Sequence, residues 1–260
     1  MRLLKEVNHH MSYETITTVC PYCGTGCLID CTVDRENNRV IEAKGSPHGV
    51  NNDGRLCLKG LYGWDYLNDP KILTKRIRTP LIRRGGKGAP LEPATWEEAI
   101  QYTADRLKAI IKEYGPDTVM GAGSARGPGN EVGYLTQKFM RAVIGTNNVD
   151  HCARIWHAPS VAGLGETLGE GAMSYSVPEL EDAEVIFNMG YNAATSHPLV
   201  ARRIVRAKKK GAKIICVDPR KTETGRIADI FLPIKGGTNM LFLCAMAHVI
   251  VTEDLVDHEF

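Results

Sequence analysis

The sequence lacks any run approaching the ~20 apolar residues that a bilayer-spanning helix needs. Its first residues, Met1–Glu14, also lack the apolar core of roughly 7–15 residues that defines a secretory signal. No twin-arginine pair opens the chain. Arg83-Arg84 and Arg202-Arg203 are internal and cannot act as export signals. These absences predict a cytoplasmic protein with a short leader over 1–14, or with Met11 as the true start. Charge of one sign is also scarce: the formal net charge is +2, which gives no case for nucleic acid or an anionic membrane as the main partner. There is no internal repeat and no low-complexity tract. At 43% hydrophobic and 24% charged residues, the composition is that of an ordinary globular chain long enough to bury a core.

Cysteine, by contrast, is concentrated. Of eight cysteines, five fall between residues 20 and 57, while Cys152, Cys216 and Cys244 are scattered. In a cytosolic setting such a cluster favours metal over disulfides. The spacing is Cys20-x2-Cys23-x3-Cys27, with Cys57 after 29 further residues. Four thiolates suit an iron–sulfur cluster or zinc. Structural zinc normally takes two separated pairs, so three close cysteines and one remote one fit a 4Fe–4S cluster better. Cys31 competes for the fourth position. It lies on a predicted strand, roughly 13 Å beyond Cys27 at ~3.3 Å per residue, and reads as a small buried hydrophobe. Lys59 follows Cys57 by two residues and could place a positive charge on the electron path.

The rest of the chain predicts an α/β fold. A small β-rich 4Fe–4S domain over 15–78 contains a hairpin, Cys27–Val33 and Arg39–Ala43. Thr95 and Glu98 form a T-x-x-E capping box that opens a helix ending near Tyr114-Gly115-Pro116. Strands are expected at Thr118–Met120, Ala183–Met189, Lys213–Val217 and Ile230–Ile234. Helices are expected at Glu131–Val143, Leu199–Lys210 and Met240–Val251. Such alternation argues for doubly wound, Rossmann-like parallel sheets, divided here into segments 79–151 and 152–260. Because the chain stops at Phe260 with no closing element, the second segment is expected to be truncated.

Several motifs resemble the molybdopterin oxidoreductase family: Val19-Cys-Pro-Tyr-Cys-Gly-Thr-Gly-Cys27, Leu56-Cys-Leu-Lys-Gly60 and Ala142-Val-Ile-Gly-Thr-Asn-Asn148. Cys152-Ala-Arg-Ile-Trp-His-Ala-Pro-Ser-Val-Ala-Gly-Leu164 and Gly190-Tyr-Asn-Ala-Ala-Thr-Ser-His-Pro198 resemble the catalytic (alpha) subunits of formate dehydrogenases within it. The resemblance implies a 4Fe–4S cluster on Cys20, Cys23, Cys27 and Cys57. It also implies molybdenum or tungsten held by two pterin guanine dinucleotides, the second bound mainly by a C-terminal part not in this chain. Lys59 matches the lysine between cluster and pterin. Implied partners are formate or CO2 and a redox subunit of flavin, ferredoxin or hydrogenase type.

In a doubly wound sheet, ligands bind where loops leave the carboxyl ends of strands. Three such loops carry suitable groups: Arg126, Gly127, Gly129 and Asn130; Gly190, Asn192, Thr195 and Ser196; Asp218, Pro219, Arg220 and Thr222. Lys235 and Gly237 form a fourth candidate. One position departs from the resemblance. The residue before the active-site histidine should be a selenocysteine or cysteine metal ligand, yet Trp156 precedes His157. Indole offers a donor and no lone pair, so Trp156 is expected to mark a UGA codon read as tryptophan in place of selenocysteine. His157 would orient substrate or take a proton. The competing expectations are a non-catalytic electron-transfer or pterin-binding remnant, or another molybdopterin enzyme such as a nitrate reductase.

Overall fold

The computed structural model describes residues 13–73, 75–123 and 130–259. Two compact units interleave along the chain. One gathers Leu58–Ser174 with Cys31–Ala43 and the residues through Ile16; the other gathers Tyr175–Phe260 with Thr17–Asp30 and Lys44–Cys57. A three-stranded sheet opens the fold: β1 (Tyr13–Val19), β2 (Leu28–Asp34) and β3 (Arg39–Gly45), in that spatial order. The predicted hairpin is therefore present, with Asn38 in the left-handed region at its turn and Asp34 accepting from the backbone N–H groups of Glu36 and Asn37. Short helices α1 (Leu58–Tyr62) and α2 (Pro70–Leu73) and the strand pair β4 (Leu81–Ile82) and β5 (Glu92–Pro93) follow.

Helix α3 (Trp96–Tyr114) begins at the anticipated capping box. Thr95 Oγ1 accepts from Glu98 N–H at 3.2 Å, and Glu98 Oε2 accepts from Thr95 N–H at 2.9 Å. This satisfies two orphan donors, worth about 1 kcal/mol. The strand expected at Thr118–Met120 is displaced. Pro116–Thr118 forms a 3-10 turn, and β6 is Gly121–Gly123. Glycine has little strand propensity, but a Cβ at 121 would lie 2.5 Å from Met140 Cγ, so close packing demands glycine there. β6 pairs in parallel with β7 (Val149–His151), Gly121 opposite Val149. The expected helix Glu131–Val143 is α4 (Asn130–Lys138), which widens into a π-helix, Phe139–Ile144, and ends at left-handed Gly145.

Helices α5 (Ala153–Trp156) and α6 (Ala158–Leu168) complete the first unit's described helices. In the second unit β8 (Val185–Met189), β9 (Lys213–Val217) and β10 (Ile230–Leu232) form a wholly parallel sheet with β9 central. Its strands are connected through α7 (Ala193–Ser196), α8 (Pro198–Lys210) and α9 (Glu223–Ile227), and α10 (Asn239–Thr252) follows. Ile204 and Ala207 of α8 pack on Ile186 and Ile214, forming the core of this unit. The apolar stripe of α8 thus lies on the sheet while Lys208, Lys209 and Lys210 crowd its C-terminal turn, where the helix dipole favours cations. No helix among the described residues is long and apolar enough to cross a membrane.

Candidate functional site

Three groups of side chains stand out, and each lies within one compact unit. The first is the set of Cys20, Cys23, Cys27 and Cys57 in the second unit. Cys20 N–H donates to Cys27 O at 2.8 Å, closing the loop that carries the first three. Cys20 and Cys27 are buried, Cys23 and Cys57 half-buried. Burial, reinforced by the neighbouring Cys20, Cys23 and Cys57, pushes the Cys27 thiol up to about 12. Four sulfurs from segments far apart in sequence therefore come close enough for the other three to oppose ionisation of Cys27. Among the described residues, no three His, Cys, Asp or Glu side chains converge tightly enough to hold a single metal ion.

The donor chemistry nevertheless fits a multi-iron cluster. Each thiolate of a cubane binds a different iron, so the sulfurs stand further apart than the roughly 3.8 Å implied by four 2.3 Å bonds to one zinc. Cationic iron would also offset the burial, and the neighbouring sulfurs, that hold Cys27 protonated. In the iron-free protein, iodoacetamide at pH 8 is expected to modify Cys27 at least about a hundredfold more slowly than an ordinary thiol, as thiolate is the nucleophile. A thiol raised from 9.0 to about 12 on folding contributes stability that is complete below 9 and lost as pH climbs towards 12. Peptide mapping that found Cys27 alkylated as fast as exposed Cys244 would contradict this assignment.

The second group lies at the carboxyl ends of β8 and β9. Gly190 has φ 62°, and its N–H donates to Val217 O at 2.9 Å. Asn192 precedes α7 and donates through Nδ2 to Thr195 Oγ1 (3.0 Å) and Glu223 Oε2 (2.8 Å). A backbone N–H at Glu223 and then the Asn192 amide hold the Glu223 carboxyl below its ordinary range. Asp218 is buried and accepts from Arg220 N–H at 2.8 Å. Two polar atoms here are buried without a partner among the described residues: Asn192 Oδ1 and Thr222 Oγ1. Such orphans cost free energy unless something fills them, and both lie where a doubly wound sheet takes a nucleotide. Ser196, Pro219 and Arg220 are exposed beside them, whereas Lys235 and Gly237 belong to a separate turn closed by Thr238 Oγ1 on Lys235 O (2.7 Å).

The third group is in the first unit, at the ends of β6 and β7. Arg141, Asp150, His151 and Arg154 line a groove of about 170 Å³ with Gln137. His151 Nδ1 accepts from Ala153 N–H at 3.0 Å, which leaves Nε2 as the protonated nitrogen of the neutral ring. Alongside it, His151, Arg154 and His157 border an open depression of about 410 Å³. Trp156 ends α5 and is 60% exposed, its ring 5.2 Å from that of His157. His157 is exposed as well, fixed by its N–H to Ala153 O (2.7 Å) and its C=O from Val161 N–H (2.9 Å). Asn130 opens α4; Arg126, Gly127 and Gly129 lie outside the described residues. Lys59 is exposed on α1.

Arg141, His151 and Arg154 were not among the residues expected from sequence. Their signal in the sequence is weak: the strand β7 that carries His151 and precedes Arg154 is not predicted from sequence, and its partner β6 lies three residues beyond the expected strand.

The chain matches two family descriptions. Residues 13–69 match the molybdopterin oxidoreductase Fe4S4 domain, and residues 76–259 match molybdopterin oxidoreductase. It is 53% identical over 247 residues to formate dehydrogenase H of Escherichia coli, covering 95% of this chain and 34% of that protein. It is 45% identical over 250 residues to F420-dependent formate dehydrogenase 1 subunit alpha of Methanococcus maripaludis, covering 96% and 35%. Among solved structures, acetylene hydratase from Pelobacter acetylenicus superimposes with a TM-score of 0.71 at 25% identity, over 94% of this chain and 32% of that one. The chain thus spans about a third of the length of the curated relatives it matches.

Proposed function

Since the chain belongs to the molybdopterin oxidoreductase family, we propose that it supplies the cluster-binding and much of the pterin-binding surface of a formate dehydrogenase catalytic subunit, which interconverts formate and CO2. The observation that carries this reading is its similarity to formate dehydrogenases along nearly its whole length. Family membership brings a 4Fe–4S cluster and a molybdopterin cofactor with molybdenum or tungsten. When bound, the metal centre would take the two electrons of formate oxidation and the cluster would carry them away.

The chain's own residues divide that work. Cys20, Cys23, Cys27 and Cys57 would hold the cluster, and Lys59 would set a positive charge on the path of departing electrons. Asn192 Oδ1 and Thr222 Oγ1 would find their missing partners in a pterin guanine dinucleotide. Asp218 would accept from its ribose or guanine, while Gly190, Thr195, Ser196, Pro219 and Arg220 shape its bed. Arg126, Gly127, Gly129 and Asn130 would offer a guanidinium and backbone donors, with Lys235 and Gly237 as a further contact. A second dinucleotide would be held mainly outside this chain. Residue 156, as selenocysteine, would ligate the metal. His157 would orient formate or take its proton at the imidazole. A flavin, ferredoxin-type or hydrogenase subunit in the cytoplasm would receive the electrons.

Trp156 favours one alternative, a pterin-binding and electron-transfer remnant without catalysis, because indole cannot ligate a metal. Metal analysis of the native holoenzyme separates the two. Formate-dependent viologen reduction with iron and molybdenum or tungsten present supports the enzyme; iron alone, without formate-dependent reduction, supports the remnant. In the active case His157→Ala is expected to lower turnover by roughly 10²–10⁴-fold, the range of general acid–base catalysis, with the cluster spectrum unchanged. Unaltered turnover would remove His157 from the mechanism.

A further inference from the structure

The first three cysteines share one loop, but Cys57 arrives from another, and something must set the gap between Cys27 and Cys57. Asn52 occupies that gap. It is 0% exposed, and its amide makes three hydrogen bonds to backbone. Oδ1 accepts from Leu28 N–H at 3.0 Å, and Nδ2 donates to Leu28 O at 3.2 Å and to Arg55 O at 2.9 Å. Leu28 directly follows Cys27, and Arg55 stands two residues before Cys57. One buried side chain therefore joins both cysteine-bearing segments at their backbones. Its neighbour Asn51 adds a bond from Nδ2 to Thr25 O at 2.8 Å, within the Cys23–Cys27 loop. Gly45 permits the close approach, as a Cβ there would lie 2.4 Å from the Gly54 carbonyl carbon.

The same loop is held from its other side. Arg203, buried on α8, donates to Val50 O at 3.2 Å and Asn51 O at 3.5 Å. Arg206 and Arg202 hold Asp53, at 3.2 and 3.4 Å. Asp53 has φ 51°, a left-handed conformation that aspartate adopts more readily than most residues, at the turn these ion pairs hold.

We infer that Asn52 is a positioning residue for the cluster: by fixing the Cys27–Cys57 separation it governs how tightly the cluster is retained and how much water reaches it. This rests on the cluster reading above. Only an amide supplies one acceptor and two donors in this geometry. Aspartate would set a charge against two carbonyl oxygens, and alanine would leave three backbone groups without partners. Water admitted around the cluster stabilises its more negative, reduced form, so loosening the clamp raises the potential.

The test compares native holoenzyme with Asn52→Ala, measuring iron release to a ferrous chelator, the EPR spectrum of the reduced cluster and its potentiometric midpoint. Iron release at least about tenfold faster is expected, in line with outer-shell effects on metal retention, together with an altered EPR line shape and a higher midpoint. A merely structural residue would lower the melting temperature and leave the spectrum and midpoint of the surviving cluster unchanged; that result overturns the inference. If Asn52→Ala does not fold, Arg203→Lys, which keeps the charge but loses the forked donor, is expected to show the same changes in smaller measure, and a wild-type spectrum and midpoint in that variant overturns it equally. A wild-type holoenzyme without four irons and a cluster EPR signal would instead sink the cluster reading itself.

Discussion

Cys57→Ser in the native holoenzyme is expected to abolish the cluster's visible absorption and, with it, formate-driven dye reduction, while the protein remains folded. Residues 50–55 are held by Asn52, Arg203 and the Asp53 ion pairs, none of which involves the Cys57 sulfur. Removing that sulfur leaves the loop in place and takes away the only one of the four proposed ligands that comes from the second segment. Serine is nearly isosteric, but its hydroxyl is a hard, weakly acidic ligand beside three soft thiolates. Loss of an outer-shell partner alone costs 10–100-fold, so loss of a ligand should cost more than about 100-fold in electron exit. Cys31→Ser is the matched control. Cys31 is buried on β2 and should leave iron content and spectrum unaltered, at a modest cost in stability. Four irons per chain in the Cys57 variant, or their loss in the Cys31 variant, would exchange the roles of these two residues.

Trp156→Cys is expected to have the opposite character: a large gain in chemistry with little change in stability. A tryptophan in a core removes a large apolar area from water, and its truncation would cost 3–5 kcal/mol. Trp156 is 60% exposed, its recorded ring contact being the adjacent His157. Its replacement should therefore stay within about 0.5 kcal/mol, as for other surface positions. What changes is ligation. A thiolate in place of indole provides the donor that residue 156 lacks, and formate-dependent dye reduction should rise at least about a hundredfold over a holoenzyme with tryptophan there. The protein made by its own cell gives a complementary readout, since the mass of the peptide holding residue 156 distinguishes selenocysteine from tryptophan. If the natural peptide carries tryptophan and Trp156→Cys stays inert with its cofactors loaded, the formate reading falls and the electron-transfer remnant stands.

Those two experiments probe positions that were legible as text. The cysteine spacing and the Trp156-His157 pair are local in sequence, and local patterns survive translation into structure. The capping box at Thr95 and Glu98 and the strand Lys213–Val217 are legible for the same reason: propensity, capping and burial agree there. Legibility fails where one residue acts across a long separation. Asn52 and Arg203 look like an ordinary loop polar residue and an ordinary helix cation, and their roles appear only when backbone carbonyls 24 and 153 residues away come within reach. The displaced strand at Gly121–Gly123 has a similar cause. Its pairing with β7 and the packing of Met140 override a poor intrinsic preference. Arg141 is obscured differently, by a π-helical turn that changes which residues share a face. The loops proposed to hold a nucleotide are legible in composition, but that Asn192 Oδ1 and Thr222 Oγ1 lack partners depends on how the chain packs around them.

The bonds from Arg203 to the carbonyls of Val50 and Asn51 also fix an order of events. Arg203 follows the loop it grips by about 150 residues along the chain, so the cysteines are synthesised well before it. At 5–20 residues per second that interval is roughly 8–30 s. During it the four thiols are present but the outer half of their restraint has not yet been made. Iron delivered in that interval would meet a looser cradle than iron delivered after α8 has docked.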